Sequence, residues 1–153
     1  MSQHSAQHGD FTIERDLDFS VATVFAAWAD PAAKKRWFAA PHDCKENIRE
    51  QDFRVGGRDR LQATWPNGRV SHFSAEYWDI VPNERIVYVY EMHLNGKKIS
   101  VSLATVQFIA KGKGTRLIVT EQGAFLDGYD DAGAREEGTK GLLDQFEASL
   151  KNN

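Results

Sequence analysis

In the segment TRLIVTEQGAF, residues 115–125, a carboxylate stands where a core residue is due. Side chains alternate faces along a strand, so the face that carries Leu117 and Val119 also carries Glu121. The same alternation puts Arg15 among Phe11, Ile13, Leu17 and Phe19, Asp59 among Leu61, Ala63 and Trp65, and Asp79 among Phe73, Ala75 and Tyr77. A buried charge without compensation is costly, so each such group needs a partner, a hydrogen bond or a wet cavity. Two readings stay open. In one, Arg15 and Glu121 form an internal ion pair with no ligand role. In the other, Glu121, Asp59 and the hydroxyls of Tyr88 and Tyr90 are the few polar groups that orient a ligand in an apolar cavity. A carboxyl in such a place has a raised pKa and can serve as a general acid or base, the chemistry of a cyclase or hydrolase.

Other chemistries leave no trace. The chain has no Gly-x-Ser-x-Gly elbow, no phosphate-cradling glycine loop with lysine, no His-Glu-x-x-His and no cysteine pair. Cys44 has His42 nearby, but a catalytic pair needs a third group to orient the base, and none is visible in the sequence. His4, His8, His72 and His93 are scattered, so no metal or cofactor site is expected. A single cysteine forms no internal disulfide, and with no signal-peptide pattern a reducing cytoplasm is expected. The net charge of −3 with interspersed signs argues against a nucleic-acid partner. KGKGTR at 111–116 reads as a hairpin turn, and no apolar run approaches the roughly 20 residues of a membrane span.

A chain of 153 residues, 41% hydrophobic and 27% charged, suits one globular domain with a real core. Residues 1–9 carry no apolar pattern and read as a mobile tail, leaving 10–153 as the domain. The first strand alternates through Phe19. Ser20 caps a helix bearing Val21, Val24, Phe25 and Trp28, and Asp30-Pro31 opens a second short helix that presents Trp37 and Phe38. From residue 45 the pattern is one of strands parted by turns at Pro66-Asn67-Gly68, Pro82-Asn83, Asn95-Gly96 and Lys111 to Gly114. The inward positions add Tyr88, Tyr90 and Met92, then Val106 and Phe108. In KKISVSLATVQF, however, Ile99, Val101 and Leu103 oppose Val106 and Phe108. Either a bulge near Ala104 and Thr105 reverses the register, which is the favoured reading, or an apolar outer stripe is covered, as in a dimer. Monomer and homodimer both stay open. The last helix carries the stripe Leu142, Leu143, Phe146 and Leu150. The loop AFLDGYDDAG before it, with Phe125, Leu126 and Tyr129, is either a lid or a packed connection. One strand, two short helices, six strands and a long helix make an α+β fold, an antiparallel meander with the long helix across one face.

The pieces IERDLDFSVATVFAAWADPAAKKRWFAAP, FRVGG, PNG, YWDIVPNERIVYVYE, GTRLIVTEQG and REEGTKGLLDQF together resemble the START-like (SRPBCC) superfamily. The likeness, over about residues 11 to 150, is strongest to the branch of the activator of heat-shock protein 90 ATPase homologues and calicheamicin-resistance proteins. It implies a helix-grip fold, in which a curved seven-stranded sheet closes around the C-terminal helix and often holds a small apolar molecule. Its first and last strands adjoin, which brings Arg15 and Glu121 within possible reach. The cavity expected from these positions is lined by Trp37, Phe38, Asp59, Leu61, Trp65, Phe73, Tyr77, Tyr88, Tyr90, Met92, Val106, Phe108, Val119, Glu121, Phe125, Leu143 and Phe146. The resemblance implies no shared catalytic machinery, and the leading expectation is a small-molecule binder. A surface-acting co-chaperone or stress-response role, with a heat-shock chaperone as partner, is the alternative the family name suggests. Where many members open the last helix with Gly-Trp, this chain has Gly138-Thr139, which frees volume.

Overall fold

Short-range chemistry sets the boundaries of the elements. The Ser20 hydroxyl accepts from the Thr23 amide at 3.2 Å and the Asp131 carboxylate from the Ala134 amide at 2.8 Å, each satisfying an orphan donor at a helix start. Asn95 and Gly96 have φ of 52° and 79°, the paired left-handed geometry of a tight hairpin turn. A computed structural model describes residues 4–152. It shows β1 (Ala6–Leu17), α1 (Val21–Ala29), α2 (Pro31–Lys35), β2 (Lys45–Gln51), β3 (Arg58–Thr64), β4 (Val70–Val81), β5 (Arg85–Leu94), β6 (Lys97–Lys111), β7 (Gly114–Leu126) and α3 (Ala132–Lys151). The seven strands form one antiparallel sheet in the order β1-β7-β6-β5-β4-β3-β2, so the expected α+β meander with adjoining first and last strands is the architecture found. No helix among the described residues is long and apolar enough to cross a membrane.

Two stretches depart from expectation. Part of the expected tail is strand: Ala6 to Gly9 pair with Leu126 to Gly123 on β7, so backbone pairing orders a segment that has no apolar pattern of its own. Residues 1–3 of that tail lie outside the described residues. On β6 there is no bulge near Ala104 and Thr105, because pairing with β5 runs unbroken from Ser100 to Gln107. The register shift falls instead at Ile99, between the Met92 and His93 pairings, and both Ile99 and Ser100 are buried there. The inward face of β6 is therefore Ser100, Ser102, Ala104, Val106 and Phe108, while Leu103 points outward and is 38% exposed.

The core fills one end of the sheet. Ile13, Leu17, Ile86, Val106, Phe108 and Leu117 meet Val24 and Phe25 of α1 and Leu143, Phe146 and Leu150 of α3. Phe25 stands edge-on to Phe108, with centroids 5.2 Å apart.

The antiparallel register also settles where Arg15 goes. Glu121 lies opposite Phe11, whereas Arg15 lies opposite Leu117. Four residues of strand, at about 3.3 Å each, separate the two along the sheet, so the expected Arg15–Glu121 pair does not form. Arg15 instead donates to Asp144 at 2.9 Å and Glu147 at 3.0 Å on α3. A double-mutant cycle is expected to give a coupling of roughly 0.5–1 kcal/mol for Arg15 with Glu147 and none beyond error for Arg15 with Glu121. Coupling of the second pair by urea denaturation would contradict this register.

Candidate functional site

Beyond the packed end, α3 rides above the sheet over a pocket of about 490 Å³. Its floor is Leu61 and Ala63 of β3, Ser71 and Phe73 of β4, Tyr88, Tyr90 and Met92 of β5, and Val119 and Glu121 of β7, with Trp65 at the end of β3. Arg135, Gly138, Thr139, Gly141, Leu142, Leu143 and Gln145 of α3 form one wall. The opposite wall is Trp28 of α1, Lys34 of α2 and the run Trp37 to Pro41. Exposed Gly138, Gly141 and Gln145 on one side and Pro41 on the other mark where it meets solvent.

Helical spacing explains the second wall. Lys34, Trp37 and Phe38 lie three and four residues apart, so they share a face. Trp37 is fixed by its indole N–H, which donates to the Ala27 carbonyl at 3.0 Å, and its ring meets Trp28 at 4.8 Å and Phe146 at 5.0 Å. Lys34, only 6% exposed, has its ammonium 5.0 Å from the Phe38 ring centre and within 6 Å of Trp28, Trp37 and Tyr77. It pairs with the buried Asp59 carboxylate, which also accepts from the Tyr77 hydroxyl at 2.8 Å. Burial, then the neighbouring Asp59 charge, raises the Tyr77 phenol far above its ordinary value, so it stays a neutral donor.

A second polar group lies across the pocket. Glu121 is 5% exposed; its Oε1 accepts from the Tyr90 hydroxyl at 2.5 Å and its Oε2 from Thr139 at 3.2 Å. The Arg135 guanidinium donates to the Tyr90 oxygen at 3.0 Å, to Ser100 at 2.8 Å and to the Asp130 carboxylate at 2.8 Å. Burial raises the pKa of Glu121, while Tyr90, Arg135 and Thr139 act in the other direction without cancelling it. Tyr88 sits between the two polar groups, its ring 6.1 Å from Tyr77 and 6.0 Å from Tyr90. Its phenol is pushed well up by burial, and its hydroxyl makes no hydrogen bond among the described residues.

Of the positions expected at the cavity, the structure brings Trp37, Phe38, Leu61, Trp65, Phe73, Tyr88, Tyr90, Met92, Val119, Glu121 and Leu143 to the pocket. Six lie elsewhere. Asp59 and Tyr77 are turned into the cluster around the Lys34 ammonium, and Val106 and Phe108 are buried in the packed core with Val24, Phe25 and Phe146. Phe146 is buried among Trp28 and Trp37, and Phe125 packs beneath the Arg135 guanidinium, 5.4 Å from ring centre to charge. Lys34 and Arg135 were not legible as site residues because long cations usually face solvent. The available signal was periodicity: Arg135, Thr139 and Leu142 continue the stripe of Phe146 back along α3 at helical spacing.

The comparisons agree with this fold. The family model described as activator of Hsp90 ATPase homolog 1-like protein matches residues 18–151. A solved uncharacterized protein from Rhizobium leguminosarum is 45% identical, with 98% of this chain and 99% of that one covered and a TM-score of 0.93. The Mll3558 protein from Rhizobium loti is 43% identical over 95% of this chain and 99% of that one, with a TM-score of 0.86. An AHSA1-like protein from Aeromonas hydrophila, 22% identical over 94% of this chain and 93% of that one, shares the fold at a TM-score of 0.72. No curated protein matches. With nearly its whole domain covered by the family model, the chain belongs to the family of activator of Hsp90 ATPase homolog 1-like proteins.

Proposed function

We propose that the protein is a cytoplasmic small-molecule binding protein that holds an apolar, aromatic compound between α3 and the sheet. The supporting observation is the pocket of about 490 Å³, whose walls are mostly aromatic and aliphatic with few polar groups. That volume and lining are those of small-molecule sites in general. Tyr88 is the side chain best placed to grip a planar ligand, with its ring in the floor and its hydroxyl free. The single thiol, Cys44, forms no disulfide, in keeping with a reducing compartment.

The neutral fluorophore N-phenyl-1-naphthylamine is expected to bind the protein and brighten. Tyr88→Ala is expected to weaken that binding at least tenfold while leaving the circular dichroism spectrum unchanged. Equal affinity in parent and variant, or no binding to the parent, would overturn the pocket as the working site.

A further inference from the structure

We propose that the ligand of this pocket carries a basic amine, and that its ammonium group pairs with Glu121. The inference rests on the binding reading above and adds the charge of the ligand to it. The charged side chains that line the pocket are Lys34, Arg135 and Glu121. Lys34 is taken by Asp59, and Arg135 by Asp130. Glu121 has donors in Tyr90 and Thr139 but no ion-pair partner among the described residues. Among the charged side chains of the lining, Glu121 is thus the one without an ion pair of its own.

The surroundings of that carboxylate suit an ammonium. Glu121 lines the pocket, and each oxygen has accepted one hydrogen bond, which leaves further lone pairs. Tyr88 offers an oxygen with no other partner, and the rings of Phe73, Tyr88 and Tyr90 lie beside it in the same floor. Carboxylate, phenol oxygen and ring faces together are how proteins hold desolvated ammonium groups. An acid would instead meet a third carboxylate with both cations engaged.

Proton linkage follows from the same groups. Facing Glu121 are Tyr90 and Tyr88 from β5 and Arg135 and Thr139 from α3; the cross-strand neighbours are Phe11 on β1 and Ala104 on β6, which do not titrate. Burial works against the ionised form of Glu121, and an incoming ammonium works for it. At a pH close to the ordinary carboxylate value, amine binding therefore releases the proton that Glu121 holds there.

The test uses 1-naphthylmethylamine, 1-naphthylmethanol and 1-naphthylacetate, followed by quenching of pocket tryptophan fluorescence. The amine is expected to bind at least tenfold tighter than the alcohol, with the acid weakest, and Glu121→Gln to bring amine and alcohol within about twofold. Calorimetry of the parent protein at about pH 4.5, near the ordinary carboxylate value, in two buffers of different ionisation heat needs no variant to fold and is expected to show proton release with the amine and none with the alcohol. Alcohol binding as tight as amine binding, a preference that survives in Glu121→Gln, or absence of proton release would overturn the amine assignment while leaving the pocket intact. Failure of all three compounds and of N-phenyl-1-naphthylamine would instead overturn the binding reading itself.

Discussion

Changing Lys34 to methionine is expected to destabilise the protein by about 3–5 kcal/mol, the cost of breaking a buried ion pair from one side. The methionine fills much of the space, so the loss comes from what is left behind. Asp59 is 4% exposed, and without the ammonium it keeps only the hydroxyl of Tyr77 as a hydrogen-bond partner among the described residues. Against a typical total of about 5–15 kcal/mol, such a loss leaves the fold marginal. The double variant Lys34→Met, Asp59→Leu is expected to recover most of the stability, because an apolar replacement of both ions removes two desolvation costs together. Urea denaturation of the parent, the single and the double variant measures this. A single variant as stable as the parent would mean that Asp59 finds another partner or water.

Phe146→Ala is expected to cost about 3–5 kcal/mol by leaving a cavity that its neighbours fill poorly. Phe146 is fully buried, and its ring touches Trp28 at 5.8 Å and Trp37 at 5.0 Å. Both tryptophans also wall the pocket, so their relaxation into the vacated space is expected to weaken N-phenyl-1-naphthylamine binding along with stability. Chemical denaturation followed by tryptophan emission reads the first effect, and titration with the fluorophore reads the second. A loss under about 1 kcal/mol would show that α3 settles onto the sheet and closes the gap.

The fold was legible because its signals were local and redundant. Alternation marked the strands, Asn95-Gly96 and Lys111 to Gly114 marked hairpins, and Ser20 marked a helix start. The inward placement of Glu121 and Asp59 followed from the same alternation. What depends on register did not follow. Alternation says which face Arg15 and Glu121 share, but pairing decides that Phe11, not Arg15, lies opposite Glu121. The bulge at Ile99 was hidden because a one-residue slip anywhere along β6 would reconcile its two apolar runs. Lys34 was hidden by its type: only the three-dimensional meeting with Asp59 makes a buried lysine acceptable.

Gly138 and Gly141 sit within α3 where it crosses the pocket, and a methyl group at either would meet no other atom within 4 Å. Alanine would favour the helix by about 1 kcal/mol at each place, so the sequence forgoes that stability where nothing in the packing forbids it. What the two glycines retain is room, since both face the pocket and either methyl would narrow it. Helix stability and open pocket volume are therefore in direct competition at two Cα atoms, and a stabilising consensus change there would be made at the expense of that volume.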